Sequence, residues 1–204
     1  MKQILCFGDS NTYGLIPGTA NQRYGWGTRW TSILDDKVRT KGYRVIEEGL
    51  CGRTTVFDDP FRTERRGTEM LPAILESHRP VDTIVLMLGT NDCKSVYSAT
   101  PEVIGQGIEQ LLDQINTVNP DAKILLVSPI YLGERILIRN SIRILSKYHG
   151  ICPGCMRKSP EEEIFLIFRL QNLPDREKPI RSIWMNWDIA DLQMQFMKSL
   201  QDEA

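Results

Sequence analysis

The sequence predicts an α/β fold: a three-layer α/β/α sandwich built on a five-stranded parallel sheet, with residues 1–204 forming one domain. Two observations predict it. Short runs rich in Ile, Val, Leu and Phe, each bounded by turn signals, alternate with stretches of helical periodicity about five times along the chain. No internal repeat, low-complexity segment or linker interrupts that alternation, and 204 residues can enclose one substantial core.

Taken in order, the first strand is expected at residues 3–7, where Ile4-Leu5-Cys6-Phe7 stops at Gly8. A helix at 30–41 precedes the second strand at 43–47, and a helix at 68–77 precedes the third at 83–88. The helix at 101–118 is the clearest. Val103, Ile104, Ile108, Leu111, Leu112 and Ile115 recur every three or four residues, with Pro101 in its first turn and Thr100 as cap. The fourth strand is expected at 123–128, a helix at 135–148 and the fifth strand at 164–168. A last helix, 189–200, carries Ile189, Leu192, Phe196 and Leu200 on one face. Right-handed crossovers cover both faces of such a sheet and leave the loops beyond the strands' carboxyl ends free for function.

Composition excludes several roles. A net charge of −1 argues against nucleic acid or an anionic membrane surface as the main partner. No apolar run approaches the ~18 residues of a membrane span. The first strand begins almost at Met1, so a cytoplasmic protein without a signal peptide is expected. Five cysteines, an odd number, do not suggest a disulfide framework. Cys152-Pro153-Gly154-Cys155 has redox spacing but lies late in the chain, and zinc would need two further ligands nearby. Neither a metal nor a cofactor is expected.

The strand exits carry the chemistry. The first opens into Gly8-Asp9-Ser10-Asn11, the second into Cys51-Gly52-Arg53-Thr54-Thr55, and the third into Gly89-Thr90-Asn91-Asp92. Acyl transfer requires a nucleophile and donors aimed at the oxygen that becomes negative. Ser10 can be that nucleophile, Gly52 can offer an unobstructed backbone N–H, and Asn91 an amide N–H. Each stretch taken alone is also ordinary turn chemistry.

Together, "GDSN" at 8–11, "GLCGRTT" at 49–55 and "MLGTND" at 87–92 resemble the first three blocks of the SGNH (GDSL-type) hydrolases. "GLIPGT" at 14–19, "VFDDP" at 56–60 and "LESHRPVD" at 75–82 resemble its small bacterial arylesterase and acyltransferase-like branch. The likeness covers residues 1–134. It implies a flavodoxin-like sheet and hydrolysis of small-molecule carboxylic esters through an acyl-serine. Ser10 would be the nucleophile and, through its own N–H, an oxyanion donor. Gly52 and Asn91 would be the other donors. Asp9 and Asn11 would shape the turn, Asp92 would order the Asn91 loop, and Cys51, where that branch commonly has Asn, would be a small packing residue. Trp26, Trp30 and Phe57 stand near the loops that would set specificity.

The resemblance ends before the family's fourth block, an Asp-x-x-His that supplies the general base. Ahead of the last expected helix, Arg181 falls at the Asp position and Trp184 at the His position. Neither accepts a proton. The two histidines are His78, at a helix end, and His149, near a basic stretch; His149 is the substitute base if one exists, with Asp188 a poorer one. From 135 to 158 there are six basic residues and no acidic one, with Arg135, Arg139, Arg143 and Lys147 at helical spacing. The expectation is therefore an ester hydrolase impaired in its base. The alternatives are a non-catalytic relative binding an acyl or carbohydrate ligand, and a nucleotide binder, which the single glycine of Gly8–Asn11 makes the weakest. The sequence is compatible with a homo-oligomer.

Overall fold

The computed structural model describes residues 1–127 and Pro129 in full, and three further short strands as backbone. The N-terminal strand, β1 (Lys2–Gly8), alternates its side chains between two cores. Ile4 and Cys6 join Val38, Tyr43, Val85, Met87 and Val127 on one face. Leu5 and Phe7 join Leu71, Leu75, Ile84, Ile108, Leu111 and Ile115 on the other. The first face is roofed by α2 (Trp30–Arg39), the second by α3 (Gly67–Ser77) and α4 (Pro101–Val118). A sheet clothed on both sides follows directly from that period of two. Each fully buried Leu, Ile or Phe contributes roughly 1.5–3 kcal/mol to holding the layers together.

The remaining main strands are β2 (Tyr43–Gly49), β3 (Thr83–Met87) and β4 (Lys123–Val127), and the sheet order is β2-β1-β3-β4 with all neighbours parallel. Gly8 stands opposite Gly49 on one side and Met87 on the other. The exits of β2, β1 and β3 are therefore neighbours at one edge. These four strands and three helices lie within a residue or two of their expected bounds.

Two expectations change. After β5 (Leu137–Ile138) and β6 (Ile142–Arg143) comes β7 (Ile167–Leu170), which pairs with β4 antiparallel, so among the described residues the sheet is four parallel strands with an antiparallel strand beside β4. An edge strand satisfies one row of backbone groups in either direction, and such mixed edges are common. The helix expected at 135–148 is contradicted by β5 and β6, which pair antiparallel with Leu137 opposite Arg143. Isoleucine at 138 and 142 suits a strand, because β-branched side chains favour extended backbone. Of the residues of the basic ridge, Arg143 lies in β6, and Arg135, Arg139 and Lys147 lie outside the described residues. The helix expected at 189–200 lies outside the described residues.

Candidate active site

The loop after β1 folds back on itself at once. A Cβ on Gly8 would run into the Thr12 side chain and the Met87 carbonyl, so only glycine lets the chain turn there. Asp9 caps the one-turn helix α1 (Ser10–Tyr13): its Oδ1 accepts from the Asn11 N–H at 2.8 Å and the Asn11 amide at 3.0 Å. Gly14, at φ +80, closes the turn, with its N–H donating to the Ser10 carbonyl. Ser10 is half-buried. Among the described residues neither its N–H nor its hydroxyl has a hydrogen-bond partner. Asp9 is buried, and burial pushes its carboxyl above the usual range, against the pull of Asn11, Thr90 and the Arg53 charge.

The loop after β2 is tied to that turn. Leu50 N–H donates to the Gly8 carbonyl at 3.1 Å, and the Arg53 guanidinium donates to the same oxygen at 2.9 Å and to the Glu48 carbonyl. Arg53 is buried with its charge 4.0 Å from the Phe7 ring centre, and burial brings its pKa down to about 10. Arg53 N–H closes a turn onto the Leu50 carbonyl at 3.0 Å. Gly52, third in the turn, has φ +87 while Cys51 does not have a positive φ, which is the type II pattern. A Cβ on Gly52 would overlap the Arg62 guanidinium. Its N–H has no acceptor among the described residues.

The loop after β3 completes the set. Asn91 opens a single 3-10 turn, Asn91–Cys93, and one N–H of its amide donates to the Arg53 carbonyl at 3.0 Å. The amide has a second N–H to give. Asp92 does not act as a local turn former: its Oδ1 reaches across to accept from the Thr55 N–H at 2.9 Å and the Thr55 hydroxyl at 2.5 Å. Burial pushes Asp92 up to about 6, the Thr55 bonds oppose this, and the Asp9 charge adds to it. The loops bearing Ser10, Gly52 and Asn91 are thus laced through Gly8, Arg53 and Thr55 at the carboxyl ends of three adjacent strands.

Sequence reasoning did not single out Arg53, Arg65 or the Asp92–Thr55 strut. Arg53 follows Gly52 directly, and an arginine between a glycine and two threonines at a buried strand exit was the available signal. Trp30 packs against the core beneath α2. Phe57 stacks on Tyr97 at 4.8 Å, and Trp26 is exposed beneath the Arg29 charge. His78 sits at the C-terminal cap of α3 with its Nε2 2.8 Å from Glu48 Oε1, a structural placement. His149, Cys152, Cys155, Arg181, Trp184 and Asp188 lie outside the described residues. Among the described residues no group of three or more His, Cys, Asp or Glu is placed to hold a metal ion.

Similar solved structures carry esterase names. A carbohydrate acetylesterase from Sinorhizobium meliloti is 40% identical with a TM-score of 0.59, over 62% of this chain and 63% of its own. The inhibitor-bound aryl esterase of M. smegmatis is also 40% identical with a TM-score of 0.60, over 63% of this chain and 64% of its own. A second carbohydrate acetylesterase family member from S. meliloti is 39% identical with a TM-score of 0.59, over 66% and 65%. This chain thus spans under two thirds of the length of these neighbours. No curated protein matches it. The profile of GDSL-like lipases and acylhydrolases matches residues 6–159, which takes in the Ser10, Gly52 and Asn91 loops, the end of β1 and the whole of β2, β3 and β4. On that match, and on esterase neighbours at about 40% identity, the chain belongs to the GDSL-like lipase/acylhydrolase family.

Proposed function

We propose that this chain is a serine ester hydrolase in which Ser10 attacks the acyl carbon and the Ser10 N–H, Gly52 N–H and Asn91 amide receive the oxyanion. The observation that carries the reading is the set of unspent donors at one sheet edge: two backbone N–H groups without acceptors among the described residues, beside an amide with one N–H to spare. Donors fixed in advance stabilise the tetrahedral intermediate without reorganisation, commonly the largest single term in acyl transfer. The neighbours are named for aryl and carbohydrate acetyl esters, so small acyl groups on such alcohols are the proposed substrates.

The sequence carries no Asp-x-x-His, and a serine hydroxyl without a base is a weak nucleophile. Acylation is therefore slow. A fluorophosphonate, whose phosphorus takes the Ser10 oxygen as fluoride leaves, forms one adduct over an extended incubation. Peptide mass spectrometry places it on Ser10, and Ser10→Ala loses it. Labelling spread over other side chains, or none at all, would support instead a non-catalytic relative that binds an acyl or carbohydrate group in the same cleft.

A further inference from the structure

The Gly52 N–H belongs to the central peptide of the turn 50–53, and that peptide has two stable orientations. Type I and type II turns differ by rotating it through about half a revolution, through ψ of the second residue and φ of the third. One orientation sends the Gly52 N–H to one side of the loop, and the other sends the Cys51 carbonyl there. Glycine alone leaves both accessible. Something must hold the chosen one if the N–H is to serve as a donor.

We infer that Arg65 is the positioning residue that locks this peptide. Its Nε donates to the Cys51 carbonyl at 3.0 Å, the other end of the peptide that carries the Gly52 N–H. Fixing the carbonyl on one side fixes the N–H on the opposite side. A charged donor makes a stronger bond than a neutral one, and a hydrogen bond at the carbonyl polarises the N–H of the same peptide.

Arg65 is itself held for the task. Its carbonyl accepts from the Thr54 N–H at 2.9 Å and the Thr54 hydroxyl at 3.3 Å, which pins residue 65 beside the turn. Its Nη1 donates to the Thr63 carbonyl at 2.8 Å and more weakly to the Glu64 carbonyl at 3.4 Å. Glu64 has φ +60, a left-handed conformation unusual for glutamate. Strain kept at a residue that steers an arginine onto a specific carbonyl is the mark of an over-determined loop. The neighbouring cations are used otherwise: Arg66 pairs with Asp58, and Lys94 with Asp59, which Arg62 also approaches at 3.4 Å. Among these cations, Arg65 is the one bonded to the turn's central carbonyl.

The inference rests on the esterase reading for its consequence, but the lock is measurable without catalysis. In the full chain labelled with 15N and 13C, Arg65→Met should move the Cys51 carbonyl resonance upfield and split or broaden the Gly52 amide. Signals from β3 and α4 should stay in place, which also reports that the variant folds. Unchanged Cys51 and Gly52 resonances would overturn the inference. With p-nitrophenyl acetate, Arg65→Met should lower kcat about 10- to 100-fold at unchanged KM, the scale of a misplaced reacting group. Arg65→Lys, which keeps a charged donor, should recover most of the loss. Asn91→Ala separates the two ideas. If it slows turnover and Arg65→Met does not, the lock fails alone; if Asn91→Ala changes nothing, the esterase reading fails and the resonances still decide the lock.

Discussion

Asp92 shows what the fold spends on its site. Its carboxyl is buried and raised from 3.8 to about 6, so the folded state holds a proton that the unfolded chain has released. The sign follows. Below the unfolded value both states are protonated and the burial penalty is absent; above about 6 the folded carboxylate is ionised and the penalty is fully present. Through Asp92, stability therefore falls as pH rises across that interval. Asp92→Asn keeps an oxygen for Thr55 and removes the titration. Its melting temperature should vary less between pH ~4 and ~6 than the parent's, Asp9 retaining part of the slope. Equal slopes would show that Asp92 is not the titrating group. From sequence, Asp92 reads as a turn former, because a side chain bridging to Thr55, 37 positions away, leaves no local pattern. Ser10, Gly52 and Asn91 stand out in the sequence because types suited to nucleophile and donor occur where strands end; what the structure adds is that their loops are neighbours, while their roles stay part of the proposal.

At the scale of elements, α4 is the best test of local rules. Thr100 accepts from the Val103 N–H, Pro101 takes the first position, and Ile104, Ile108, Leu111, Leu112 and Ile115 line the buried face. All three signals are written in the sequence, and the observed bounds equal the expected ones. Thr100→Ala should cost about 1 kcal/mol, read as a shift of the urea midpoint without a change in m. No shift would mean that the 3.4 Å contact is too long to count. The same α4 leans on the site: a Cβ on Gly107 would collide with the Thr55 side chain that Asp92 holds. Residues 135–148 show where local rules fail. Period-four arginines suggested a helix, but the isoleucines between them suit a strand as well, and β5 and β6 pair with each other, Leu137 opposite Arg143.

At the scale of the whole molecule, site and fold are one argument. Two helical layers on opposite faces require a sheet buried on both sides, and a parallel sheet collects its exits at one edge. The order β2-β1-β3 brings the three loops into adjacency that no single stretch of sequence displays. The direction of the fifth strand was not legible, because an apolar edge segment carries no mark of its partner's orientation. The central claim is that these exits build an oxyanion hole around Ser10. Steady-state hydrolysis of p-nitrophenyl acetate by the parent and by Asn91→Ala, with melting temperatures recorded for both, tests it most directly. The parent should exceed the uncatalysed rate by about a thousand- to ten-thousand-fold, the share that donors and binding retain without a competent base. Asn91→Ala should lose on the order of a hundredfold of that while remaining folded. A parent no faster than buffer, or a folded Asn91→Ala as fast as the parent, would contradict the account.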